Sequence, residues 1–444
     1  MLGCFYLGNA MKNPVYEEIL KPVVLPRMYR VRQLFDTTKI EDVAGTVRKE
    51  VLAFPEIDKV KGKTVAVGVG SRGIANLPVI VKTLIDCLKE KGANVFIVPS
   101  MGSHGGAVAQ NQTKMLEHLG ISEATVGAPI RSSMETVTIG DTEDGIPVQM
   151  DKNAASADYT VTVARIKPHC SFHGKYESGM TKMCVIGLGK QHGADFCHAR
   201  GMAHMPENLE KIGKVFMSSS NLLFSLGLIE NSLDETCFIH PYGRDTLMKE
   251  EPALLEKAKA LFPRIPFTDF DVLIVDEFGK NITGTGMDCN VIQRFTSEHM
   301  VPQPFYKRLV VLNLTDESDG NAAGFGLADV STQKTFLKMD RAKTYPNFLT
   351  ARTVIGGRIP MIMDDDYDAI RTGIKTAPDS DLHHLRVVHI KNTLLLDRME
   401  ISEAMLEDAR RNPHVEVVAS EGHEMQFDAE GNLITDWRDM RNED

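Results

Sequence analysis

A chain of 444 residues exceeds what one hydrophobic core usually organises, which predicts two domains. A formal net charge of −10 with no basic tract excludes a general nucleic-acid binder, since nothing neutralises a run of phosphates, and leaves a small molecule as the expected partner. Nowhere do about eighteen apolar residues run together, so no membrane helix is expected, and seven cysteines without a regular framework fit a reducing, cytoplasmic setting.

The opening MLGCFYLGNA is apolar but lacks the positive charge and length of a secretory signal, and Met11 is an alternative start. Residues 1–60 read as a leader wrapping other elements: PVVLPRMYRVRQLF holds too many prolines for one helix, whereas KIEDVAGTVRKEVLAF has helical spacing. At KTVAVGVGSRG, Val65, Val67 and Val69 alternate into a glycine-rich loop, and NLPVIVKTLIDCLKEKG follows with helical spacing and a closing glycine at Gly92. NVFIVPS is a second β-branched run, leading into the loop MGSHGGAVAQ and the helix NQTKMLEHLG. This alternation predicts a parallel sheet with its chemistry on loops at the carboxyl ends of strands.

ADYTVTVARIKPH repeats the pattern, with a strand from about Tyr159 to Ala164. Residues 205–265 read as helical, LFPRIPFTDF breaks the helix, and DVLIVDEFGKNITGTGMD opens a second α/β unit whose further strands are RLVVLNLTD, LRVVHIKN and HVEVVAS. The expectation is two α/β domains with mainly parallel sheets: residues 1–267 carry the site motifs, residues 268–444 close the cleft, and the active site lies in that interdomain cleft.

Gly68, Gly70 and Gly73 satisfy G-x-G-x-x-G between a strand and a helix. The dinucleotide reading also needs an acidic residue about twenty positions on, and the second strand ends instead at Pro99 and Ser100. A turn exposing Arg72 to an anion, or a plain tight turn, fits better. His104, between glycines at the next loop tip, is a surface histidine or a proton-transfer group near neutral pH. An acidic run at Asp364, Asp365 and Asp366 precedes YDAIRTGIKT and suits a helix N-terminus.

The densest stretch is IKPHCSFHGKYESGMTKMCVIGLGKQHGADFCHARGMAH, residues 166–204, which gathers five of the fourteen histidines and three cysteines. His169, Cys170, His173, Cys197 and His198 could be drawn as a zinc site for a metal-dependent hydrolase, although no C-x-x-C or H-E-x-x-H spacing supports it. A structural histidine cluster is the second reading. The third is a resemblance: Pro168-His169, Ser178-Gly179 before Lys182, the GLG turn and His198 sixteen residues after Lys182 resemble the lactate racemase family, as do SMGSHG and GSRG upstream. The sequence departs from that family at Gly105, Val69, Gly73 and Ile186, and its stretch from His169 to Lys182 is three residues longer.

That resemblance implies a racemase or epimerase inverting the hydroxyl-bearing carbon of a 2-hydroxy acid. Hydride would pass to and from a nickel-pincer nucleotide, a pyridinium bisthiocarboxylic acid mononucleotide built by separate biosynthesis proteins. Residue by residue it implies Lys182 as the tether, His198 as the nickel ligand, and Gly70, Ser71 and His173 as further cofactor contacts. His104 and His169 become the two acid/base groups, with His173 competing for the second role, and Arg72 and Lys280 the cations for the substrate carboxylate. A non-catalytic nucleotide or ligand sensor of the same fold is the remaining alternative; a homo-oligomer is compatible with either.

Overall fold

In the computed structural model, which describes residues 14–71, 73–199 and 201–437, the β-branched runs become strands buried on both faces and the periodic segments cover them. Asp36–Pro263 forms one unit, and the described residues before and after it form another. Among the described residues no helix is long and apolar enough to cross a membrane.

The leader contributes a short helix, α1 (Pro14–Leu20), and a strand, β1 (Met28–Gln33), and both belong to the unit built mainly from residues after 264. The boundary therefore differs from the expected 267/268 division, since residues before 36 leave the N-terminal domain. The reason is pairing: β1 hydrogen-bonds to strands near residues 400 and 416.

Within Asp36–Pro263 the elements run α2 (Val43–Leu52), β2 (Thr64–Val69), α3 (Leu77–Glu90), β3 (Asn94–Pro99), α4 (Ala109–His118), α5 (Glu123–Val126), β4 (Thr136–Asp141), β5 (Pro147–Asp151), α6 (Lys152–Ser156), β6 (Tyr159–Arg165), α7 (Met180–Lys182), α8 (Lys190–His198), α9 (Met205–Ser219), β7 (Leu222–Glu230), β8 (Thr236–Gly243) and α10 (Arg244–Leu261). Strand order is β3-β2-β6-β7-β8, parallel except for β8. Val65, Val67 and Val69 face one core with Ile80, Leu84 and Leu88 of α3, while Ala66 and Ala164 face the other with Leu188 and Cys197. Covering both faces explains why β2 reads as nearly continuous apolar sequence. Gly92 closes the α3 turn at φ +86.

Strands β7 and β8 fall inside the stretch expected to be helical. LLFSLGLIE is buried at eight consecutive positions, and a fully buried run gives no periodicity to separate strand from helix.

The other unit holds β9 (Phe270–Phe278), β10 (Tyr306–Leu314), β11 (Val330–Thr332), β12 (Met361–Met363), β13 (Val387–Ile390), β14 (Arg398–Ser402) and β15 (Val415–Val417). They form one sheet, β12-β11-β10-β9-β13-β14-β1-β15, parallel through β13 and antiparallel beyond it. Asp365 caps the helix Asp366–Thr376 by accepting from Asp368 N at 2.8 Å, the role its acidic run suggested.

Candidate functional site

The order β3-β2-β6 means that the chain leaves β2 toward one side and returns to its other side, so the loops after β2, β3 and β6 share one sheet edge at a topological switch point. Open α/β sheets bind ligands there. These are the loops of Ser71, of His104, and of the histidine-rich window.

The glycines of the β2 end pack closely against neighbouring side chains. A Cβ on Gly70 would stand 2.8 Å from Met183 Cε, and one on Gly68 would stand 3.1 Å from Thr162 Cγ2. Ser71 Oγ hydrogen-bonds His104 Nδ1, joining the β2 loop to the β3 loop. Arg72 lies outside the described residues. After β3, Gly102 takes φ +58 with Ile186 Cγ2 only 3.1 Å from where its Cβ would be, so no side chain fits that approach. Gly105, where the resemblance expects arginine, is left-handed at φ +69 and its carbonyl accepts from Asn111 Nδ2 at 3.0 Å.

The loop after β6 is organised by a carboxylate. Glu177, almost fully buried, accepts from His169 N at 2.7 Å and Gly174 N at 3.3 Å, and pairs with Lys259 Nζ at 3.0 Å. It thereby bends residues 169–177 into a fixed turn. His169 Nδ1 accepts from Ser171 N at 3.0 Å, which puts the proton of the neutral ring on Nε2. Its ring stacks on Phe172 at 4.2 Å, and Lys182 Nζ lies 5.6 Å from that same phenyl centroid. His173, the next residue, is exposed.

Lys182 ends α7, and the start of α7 is held by Glu251 of α10, whose carboxylate accepts from Thr181 N at 2.9 Å and from Thr181 Oγ1. Burial pushes the Glu251 carboxyl up to about 7. Beyond Lys182 a π-helical turn, Met183–Gly187, leads to α8 and His198. Ser100 Oγ donates to Met183 O at 3.2 Å and Gly102 N to Gly187 O at 3.1 Å, so this turn bolts the His104 loop to the Lys182 helix.

His198 Nδ1 meets Ala194 O at 2.6 Å, and a carbonyl only accepts, so Nδ1 carries the proton and Nε2 the lone pair. Burial, with the Lys182 ammonium close by, holds His198 below the ordinary imidazole value and therefore neutral. The Cys197 thiol is pushed up by burial to about 12. Among the described residues no three His, Cys, Asp or Glu side chains gather as a metal site, so the tetrahedral zinc site drawn from His169, Cys170, His173, Cys197 and His198 does not form.

The fold thus joins His169, Phe172, Lys182 and His198 at the end of β6, and Ser71 with His104 beside them across β2. Lys280 lies in the other unit, in the turn after β9, where its Nζ donates to Gly284 O at 2.6 Å. Sequence reasoning missed Phe172, Glu177 and Glu251; the first two sit inside the window but were hidden by attention to histidine and cysteine.

The lysine and the histidines lie on loops at the switch point of an open α/β sheet, the place where such sheets hold ligands. Residues 61–209 match the family model of the lactate racemase N-terminal domain. No curated protein matches the chain in sequence. Among solved structures it is similar to a Thermotoga maritima protein, with 15% identity over 61% of this chain and 70% of that one and a TM-score of 0.42. It is also similar to the lactate racemase apoprotein from Thermoanaerobacterium thermosaccharolyticum, with 14% identity over 80% of this chain and 93% of that one and a TM-score of 0.48.

Proposed function

We propose that the chain is a 2-hydroxyacid racemase or epimerase working with a lysine-tethered nickel-pincer nucleotide. The observation that carries this reading is the meeting of Lys182 and His198, with His198 held as the tautomer whose Nε2 offers a lone pair. The donor set fits the group: an amine for the tether, and one neutral imidazole where the cofactor's own sulfur atoms supply the other donors. When bound, such a group supplies reversible acceptance of hydride from the hydroxyl carbon, which a side-chain base cannot deprotonate.

The chain's own residues handle the proton. Each enantiomer presents its hydroxyl from a different side, so two acid/base groups are needed, one to take the hydroxyl proton and the other to return one. His169 accepts from Ser171 N at Nδ1, which leaves the proton of the neutral ring on Nε2. His104 reaches the same sheet edge from the β3 loop, oriented by the Ser71 hydroxyl. Arg72 is proposed as the planar fork for the substrate carboxylate.

The test is co-expression with the cofactor biosynthesis proteins, followed by intact mass, peptide mapping, nickel analysis and chiral assay of 2-hydroxy acids. The expected result is a nucleotide-sized adduct on Lys182, about one nickel per chain, interconversion of enantiomers, and loss of all three in Lys182→Ala. An unmodified mass in cells that load a known racemase overturns the reading.

A further inference from the structure

Lys190 combines features that each oppose folding. Its backbone is left-handed at φ +55, a region that side chains rarely adopt, and the residue has no exposed surface although ammonium groups are rarely fully buried. Its partner Asp151 is equally buried, with Oδ2 3.1 Å from Nζ in an ionic contact that lacks hydrogen-bond alignment. Burial pushes the Lys190 ammonium down and the Asp151 carboxyl up, and their mutual attraction opposes both shifts. Buried ion pairs are poor sources of stability compared with apolar packing, so what they secure is a particular arrangement. Strained residues of this kind persist where their surroundings over-determine them.

The arrangement can be followed atom by atom. Lys190 Nζ donates to Pro99 O, at the end of β3, and to Gln112 Oε1 on α4 at 3.3 Å. An ammonium has only donors, so it fixes the Gln112 amide with its oxygen toward Lys190 and its NH2 turned away. That NH2 donates to Gly102 O and His104 O, each at 3.0 Å. The two carbonyls bracket Ser103, in a loop whose residues 102, 105, 106 and 107 are all left-handed and which makes no strand ladder. Lys190 is also the first residue of α8, the helix that ends at His198.

We infer that Lys190 and Gln112 form a positioning clamp that fixes the His104 loop against the helix of His198. Neither touches the reacting atoms; Gln112 sets the loop and Lys190 sets Gln112. The catalytic consequence rests on the function proposed above, whereas the mechanical one does not.

The experiment is hydrogen–deuterium exchange on the full chain without cofactor, comparing the natural protein with Gln112→Leu and Gln112→Glu, alongside turnover of the loaded enzymes. Leu removes both donors while leaving Lys190 its contacts with Pro99 O and Asp151. Glu keeps the contact to Lys190 but turns an oxygen toward the two carbonyls, and so serves if Leu misfolds. The expected result is exchange about tenfold faster at residues 101–107, no change in β2 or α8, and kcat lower by about tenfold with KM unaltered. Unchanged exchange in both variants overturns the clamp whatever happens to turnover, and faster exchange with undiminished kcat overturns its catalytic role. If the natural protein turns over no hydroxyacid, the failure belongs to the proposed function, and the exchange result alone decides the clamp.

Discussion

His389, in the unit built around β9, lies between two carboxylates, whereas His169 and His198, in the unit built around β2, are held by backbone groups. Asp276 Oδ1 meets His389 Nε2, and Glu400 Oε2 lies 2.9 Å from Nδ1. Burial alone would lower this imidazole, but Asp276 and Glu400 outweigh it and raise it to about 10, so the ring is a fixed cation. The outer oxygens extend the network: Glu400 Oε1 lies 3.0 Å from His423 Nε2, and Asp276 Oδ2 accepts from Thr435 Oγ1 at 2.9 Å and Trp437 Nε1 at 2.6 Å. Trp437 is pinned there and sits edge-on to His389 at 5.0 Å.

The difference lies in what the partners leave behind. Two carboxylates use both ring nitrogens and lock the charge, which suits a structural cross-link. One backbone group fixes the tautomer and leaves the ring neutral, which suits proton transfer or metal binding. His198 and His169 even use opposite tautomers, because one backbone partner is a carbonyl and the other an N–H.

Three substitutions would break or sharpen this contrast. His169→Asn should lower kcat of the loaded enzyme about a thousandfold, as loss of an acid/base group does, while the melting temperature barely moves; a matching loss of stability would make the ring structural after all. His389→Leu should do the reverse, lowering stability by roughly 3–5 kcal/mol because Asp276 and the buried Glu400 lose the cation they share. Urea unfolding followed by emission of Trp437, the only tryptophan, reads this directly. Because the folded value of His389 lies above the unfolded 6.5, its stabilisation is complete below that pH and disappears as pH rises through about 10, a fall the variant should lack.

Glu251→Gln should have the smallest effect, on pH dependence. The Glu251 carboxyl rises from 4.5 to about 7 on folding, so its contribution is complete below 4.5 and lost as pH rises through 7. The amide keeps an acceptor for Thr181, and the variant should match the natural protein near pH 4 and exceed it at pH 8 by at most roughly 3 kcal/mol. Equal stability at both values would mean that Glu251 stays charged without penalty.

The loops after β2, β3 and β6 were legible because strand and helix periods are local, and the candidate window stood out because histidine and cysteine are dense there. Lys190, Glu177 and Glu251 were not, since a single buried charge leaves no periodic trace and takes its meaning from partners far along the chain. Strands β7 and β8 were lost to a run buried on every side. The glycines at 68 and 70 fit a nucleotide fingerprint in sequence, and in space they lie close against Thr162 and Met183.

Strand β1 is synthesised long before the strands it pairs with. Val31 pairs with Met399 on one side and Val417 on the other, so its sheet closes only after residues near 417 have left the ribosome. The sequence of the Asp36–Pro263 unit is complete much earlier and can fold meanwhile, as domains do during synthesis. Until its partners arrive β1 is a bare strand edge, the kind of surface that seeds aggregation. Its alternate residues Arg30 and Arg32, which later face Glu400 at 3.9 Å and Glu416 at 2.8 Å, keep it charged during that wait.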